Sequence, residues 1–288
     1  MNPQLHIGTC SLKFDAWKGL VYSDSPRDML SEYAQRYGCV EIDQWYWSLF
    51  GADKVALPRP ETVAGYAKSV PAGFRFGVKL PDALTLTHLR PKDKAEALVT
   101  NPHFLSPDLL MTFMALLEPM RAKLGPLMLQ FGYINRQMMP SQSAFLERLD
   151  AFVKCLPSGH TWCVEIRNPA WLDDGYFTWL KERGLAHVFE QGHYMPAVAE
   201  VYAKHAAQLT DDVIVRMHGR DYEAMGKRVG KDWSKIIVEP RDEDLDKIVA
   251  MLKDLGARNK NAWAFVNNHF EGCAPKTIER IKANIRSP

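Results

Sequence analysis

The sequence predicts a closed (β/α)8 barrel: an α/β fold in one domain spanning residues 1–288, with a parallel sheet inside and helices outside. Three observations lead there. Short apolar strands alternate with helical patterns eight times, no Gly/Pro/Ser-rich joint divides the chain, and polar residues gather where the strands end. An open doubly wound sheet is disfavoured, since no Gly-x-Gly-x-x-Gly follows the first strand and no Gly-x-x-x-x-Gly-Lys-Ser/Thr occurs.

Leu5-His-Ile-Gly-Thr9 reads as the first strand, and Ser25-Pro-Arg-Asp opens a helix with Met29, Leu30, Tyr33 and Tyr37 at helical spacing, ended by Gly38. Residues 39–43 form the second strand and 74–79 the third, followed by a long loop and a helix over 107–124. Gly125-Pro126 leads into a fourth strand at 127–131, and a helix covers 141–156. The fifth strand, 161–166, precedes a helix at 173–183 whose end falls at Gly184, a residue suited to a left-handed cap. A sixth strand at 185–189, a helix at 196–208, a seventh strand at 213–217 and a helix at 243–255 follow. An eighth strand at 262–266 and a helix at 275–285 complete the pattern.

Composition narrows the class of partner. With 36 basic and 34 acidic residues the net charge is +2, so the total does not call for nucleic acid or an acidic membrane. The N-terminus lacks a basic segment followed by an apolar one, and the apolar run Leu109 to Leu117 is shorter than a membrane span. Five scattered cysteines without Cys-x-x-Cys fit a reduced, cytoplasmic protein that buries them as small apolar side chains.

In such a barrel the site lies at the C-terminal ends of the strands. Side chains alternate along a strand, so Val164 and Ile166 on one face place Glu165 and Arg167 together on the other. The same alternation on the second and seventh strands adds Glu41 and Asp43, then Arg216 and His218. Lys79, Gln130, Asn267 and Asn268 end three other strands. Charged residues placed inward cost desolvation unless they are paired or have a task.

These residues define the expected site. Glu165 and Glu41 are the candidate acid–base pair, because two carboxyl groups in unequal surroundings can hold different protonation states. Arg167, Arg216 and Lys79 supply positive charge. His88, His218, Gln130, Asn267 and Asn268 orient a ligand, and Trp45 and Trp171 offer stacking surfaces for a sugar-like molecule. Imine chemistry at Lys79 would need an apolar pocket that the local sequence does not display. No cofactor is expected; a divalent metal among Glu165, His218 and Asp43 is conceivable, but no metal-binding spacing supports it.

Several stretches resemble the YecE-like family (domain of unknown function 72). They are Ile7-Gly-Thr9 with Trp17, Val40-Glu-Ile42, Phe74-Arg-Phe-Gly-Val-Lys79 with Leu86-Thr-His88, and Leu124-Gly-Pro-Leu127 with Gln130-Phe131. Val164-Glu-Ile-Arg-Asn-Pro-Ala-Trp171, Val215-Arg-Met-His-Gly219 and Val266-Asn-Asn268 with Gly272 and Ala274-Pro275 extend the resemblance across nearly the whole chain. It implies a TIM barrel and no settled activity. The chain departs from the family's pattern at Cys10–Lys13, at Asp43–Trp47 and at Glu190-Gln191, all around the expected mouth. The reading is an enzyme doing acid–base chemistry, hydrolysis or isomerisation, on a sugar-like or phosphorylated small molecule. Two alternatives are a nucleic-acid binding or processing protein using the basic loop 218–231 and the mouth aromatics, and a non-catalytic metabolite sensor.

Overall fold

The computed structural model describes every residue except 1–3, 52, 53, 91, 92, 94, 95, 193, 220, 221, 230–233, 287 and 288. Its strands are β1 (Leu5–Thr9), β2 (Cys39–Ile42), β3 (Leu49–Phe50), β4 (Lys54–Val55), β5 (Arg75–Lys79), β6 (Leu124–Phe131), β7 (Trp162–Ile166), β8 (Ala186–Gly192), β9 (Asp212–Gly219) and β10 (Asn261–Val266). Eight of them close into a parallel barrel in the order β1-β10-β9-β8-β7-β6-β5-β2, while β3 and β4 form a separate antiparallel pair. The expected TIM barrel is the observed architecture.

Around it lie α1 (Met29–Tyr33), α2 (Pro60–Ser69), α4 (Pro107–Leu117), α5 (Gln142–Val153), α6 (Asp174–Glu182), α7 (Val198–His205), α9 (Asp242–Ala257) and α10 (Ala274–Arg286), with α3 (Asp82–Thr85) and α8 (Tyr222–Val229) in loops after β5 and β9. Local chemistry starts and stops these helices. Ser106, Ser141 and Asp173 accept hydrogen bonds from the amides of Leu109, Ala144 and Tyr176 at the N-termini of α4, α5 and α6. Gly184 closes α6 with φ +64°, as its sequence position implies.

Some boundaries differ from the expectation. The helix expected to run to 124 gives way at Glu118 to a 3-10 segment ending at Lys123, because Pro119 lacks an amide hydrogen and crowds the preceding turn. β6 starts at Leu124, so Gly125 and Pro126 belong to the strand. The sequence reading omitted α2, whose signal is faint: Pro60 at its start and Val63 as its fully buried side chain.

Two apolar compartments follow from strand alternation. Cys10, Cys39, Met128, Cys163, Ala186, Val188, Ile214, Trp263 and Phe265 fill the barrel interior. The opposite faces, including Val40, Val78, Leu129, Val164, Phe189 and Val215, pack against the helices. Three of the five cysteines are therefore interior filling and Cys273 is also buried, whereas Cys155 is exposed, contrary to expectation for that residue. Among the described residues no helix is long and apolar enough to cross a membrane.

Candidate functional site

One step above Cys39, Cys163, Val188, Ile214 and Phe265, the inward positions turn polar. Glu41 on β2, Lys79 on β5, Gln130 on β6, Glu165 on β7, Glu190 on β8 and Arg216 on β9 are all buried. Strand register holds them at one height: Gln130 lies beside Glu165, and Glu190 beside Arg216. Asp43, Arg167, His218 and Asn267 stand one step higher and are half-buried.

Arg216 is the hub. Its Nε and Nη2 donate to the two oxygens of Glu41 at 2.8 and 2.5 Å, and its Nη1 donates to Glu165 Oε2 at 2.6 Å and Gln130 Oε1 at 3.1 Å. A bidentate guanidinium–carboxylate pair fixes both groups in orientation. Arg167 then donates from Nε and Nη2 to Glu165 Oε1 at 3.0 and 2.9 Å. Its Nε lies 2.8 Å from Glu190 Oε2, and His218 Nδ1 lies 3.5 Å from Glu190 Oε1. The Nε hydrogen already points to Glu165, so neither Glu190 oxygen gains an aligned donor.

The two neighbouring carboxyl groups are driven apart in proton affinity. Burial would raise Glu165, but the charges of Arg216, Arg167 and Lys79 and the Arg216 hydrogen bond hold it below the usual carboxylate range. Burial pushes Glu190 up, and the negative Glu165 beside it pushes the same way against Arg167 and Arg216. Glu190 therefore keeps its proton to a higher pH than Glu165 does. Burial and then Glu41 raise Asp43 to about 6. Burial and the Arg216 charge lower Lys79 to about 8 against the pull of Glu41, Glu165 and Asp43. His218 is kept neutral by burial and by Arg216, Arg167 and Lys79.

The structure thus brings together Glu41, Lys79, Gln130, Glu165, Arg167, Arg216 and His218. It places others elsewhere. Trp45 stacks on Tyr66 of α2 with ring centroids 5.7 Å apart, facing the helical layer. Trp171 packs on Phe145 at 5.4 Å and lines a side cleft of about 510 Å³ with Tyr133, Arg136 and Gln142. Asn268 caps α10 by accepting from the Ala274 amide, and Asn267 accepts from the His269 amide. His88 lies in the loop after β5, where its Nδ1 is 3.0 Å from Thr87 Oγ1.

Two regions that the sequence left open are also located. His218 faces Glu190 instead of completing a cage with Glu165 and Asp43, and no group of three metal-ligating side chains suited to an ion occurs among the described residues. The basic stretch 218–231 is in part helix α8, and its exposed Arg228 pairs with Glu239 at 2.6 Å. Arg220, Gly230 and Lys231, with Asp221 and Asp232, lie outside the described residues.

Sequence reasoning noted Glu190 without assigning it to the site. A strand reading stopped at Phe189 loses it, yet continuing the alternation from Ala186 and Val188 puts Glu190 on the inner face. Tyr46, one of the aromatics the sequence places near the mouth but gives no site role, joins the layer: its ring lies 3.9 Å from Lys79 Nζ and its hydroxyl 3.5 Å from Gln130 Nε2. Exposed rings on the loops after β2 and β6 are Trp47 and Tyr133, with Arg90 stacked on Trp47 at 4.5 Å.

Comparison with known proteins assigns the chain. The profile described as "Protein of unknown function DUF72" matches residues 6–287. The chain belongs to the DUF72 family. No curated protein matches it. A DUF72 family protein from Thermotoga maritima superposes with a TM-score of 0.67 at 20% identity, covering 99% of this chain and 100% of that one. One from Enterococcus faecalis gives 0.68 at 18% identity, covering 99% and 96%. A glycoside hydrolase family 5 mannosidase from Rhizomucor miehei gives 0.51 at 10% identity, covering 99% and 94%, a likeness of fold alone.

Proposed function

We propose that this DUF72 protein is an enzyme that moves protons on a sugar-like, carbonyl-bearing small molecule, an acid–base isomerisation at the top of the barrel. The observation that carries the reading is the meeting of Glu165 and Glu190 at Arg167, whose nitrogens lie 2.9 and 2.8 Å from them: two buried carboxyl groups, one held charged by Arg216 and Arg167, the other pushed toward its protonated form by burial and by Glu165. A carboxylic acid that keeps its proton near neutral pH, beside one that does not, is what general acid catalysis needs.

This shared partner also favours isomerisation over hydrolysis. Displacement at a glycosidic carbon uses carboxyl groups about 5 Å or more apart, leaving room for the reacting centre between them. Glu165 and Glu190 share one guanidinium nitrogen, Arg167 Nε at 3.0 and 2.8 Å, so they serve better as a proton reservoir than as nucleophile and acid. Glu190 is then the acid, Asp43 at about 6 the base that faces the mouth, and Glu165 and Glu41 position the guanidinium groups. Arg167, 26% exposed, is the cation that meets an incoming phosphate or carboxylate.

The test is a panel of aldoses, ketoses and their phosphates followed by NMR in deuterated water, reading hydrogen exchange next to the carbonyl. Wild type exchanges at least one of them, and Glu190→Gln, which keeps shape and the capacity to hydrogen-bond, loses about 10²- to 10⁴-fold in rate with an unchanged melting temperature. Equal exchange by wild type and Glu190→Gln, or none by wild type, overturns the reading.

A further inference from the structure

Lys79 is the one lysine, among the described residues, that is buried. Its aliphatic stem leaves β5 toward the barrel axis, and its ammonium lies over the Tyr46 ring at 3.9 Å. Among the described residues it makes neither an ion pair nor a hydrogen bond, unlike Arg216 and Arg167 beside it, which pair with Glu41, Glu165 and Glu190. An amine on a largely buried side chain, against a ring and next to a guanidinium, is in the setting that converts lysine from a charge anchor to a nucleophile.

We propose that Lys79 is an imine-forming residue that captures the carbonyl carbon of the substrate in this pocket. The proposal rests on the proton-transfer reading of the site and adds to it an electron sink. The Nζ lone pair adds to the carbonyl carbon while the carbonyl electrons and one proton go to oxygen, giving a carbinolamine. Loss of that hydroxyl with a second proton, as water, leaves a protonated C=N bond. A base then takes the adjacent C–H proton, and the electron pair moves into the C=N system as an enamine. Glu190 can supply the proton to the departing oxygen and Asp43 can accept the C–H proton, so charge balances within the layer.

The groups facing the amine are Glu41, Glu165 and Asp43, which favour its protonation, and Arg216, which opposes it; burial adds to the opposition and places Lys79 at about 8. At neutral pH its uncharged fraction therefore exceeds that of an exposed lysine by roughly two orders of magnitude.

The experiment uses the full chain with glycolaldehyde as the probe and sodium cyanoborohydride, which delivers hydride to an imine and fixes it as a secondary amine. Peptide mass mapping follows the reduced adduct at every lysine from pH 6 to 9. Lys79 should be labelled at least tenfold faster at pH 7 than Lys68 or Lys253, with a rate that levels off above about 8 while theirs keeps rising. Lys79→Arg, which keeps the charge, should lose that adduct and retain the melting temperature. Labelling of exposed lysines with none at Lys79 overturns the imine even if Glu190→Gln still abolishes exchange. Trapping at Lys79 with no exchange by wild type leaves the imine standing and removes the isomerase reading.

Discussion

Arg216 is fully buried and carries one positive charge between two carboxylates, Glu41 and Glu165, that are as buried as itself. Removing the guanidinium strands both. Arg216→Met should therefore lower the unfolding free energy by about 3–5 kcal/mol, the cost of an uncompensated buried charge. In a Glu41→Gln background the same change should cost less, because one of the stranded charges has gone, and urea unfolding of the four proteins in this cycle measures the difference. Equal costs in both backgrounds would mean that Glu41 is solvated by something other than Arg216. This level was largely legible in the sequence, since alternation around Val164, Val40 and Val215 put Glu165, Glu41 and Arg216 on one face. Glu190 escaped because Gln191 and Gly192 make the end of β8 look like a loop. Trp45 and Trp171 were misplaced because proximity to the mouth along the chain does not say toward which layer a ring turns, and Tyr66 and Phe145 offered them apolar faces in the helical layer.

At the level of elements, the polar layer is held by the apolar layer below it. Phe265 on β10 is fully buried, and its ring fills the space where β5 has Gly77; a Cβ there would lie 2.6 Å from Phe265 Cζ. Gly77→Ala should cost about 1–3 kcal/mol by overpacking and tilt the floor under Lys79, two residues on. Adding Phe265→Leu should recover part of that stability, measured by urea midpoints; no recovery would place the strain elsewhere. Gly8 behaves differently, because its Cβ would lie 2.1 Å from the carbonyl oxygen of Cys39, a backbone atom that no side-chain truncation can move. The order of strands and helices was readable from hydrophobic period and caps. What could not be read were α2, with a weak apolar face, and the strand at Gly125-Pro126, where residues that usually break strands sit in a barrel wall.

The whole molecule responds to pH through groups whose proton affinity folding changes, and they pull in opposite directions. His187 points from β8 into the helical layer, where burial, reinforced by His205, lowers it to about 3; its Nδ1 lies 3.2 Å from the Tyr176 hydroxyl. Between pH 6.5 and 3 the unfolded chain binds a proton there that the folded one refuses, so this group withdraws stability as pH falls through that window. Asp43 does the reverse: raised from 3.8 to about 6, it binds a proton in the folded state first and adds stability as pH falls from 6 toward 3.8. The total acid sensitivity is a partial cancellation, and single variants separate it. His187→Phe should gain on wild type by about 2–3 kcal/mol between pH 6.5 and 4.5, at 1.36 kcal/mol per unit, on top of a constant offset for the lost Tyr176 contact. Asp43→Asn should lose ground to wild type over the lower part of the same range. Urea unfolding of the three proteins at half-unit pH steps reads both slopes, and a pH-independent difference for His187→Phe would mean that the imidazole is protonated in the fold without cost.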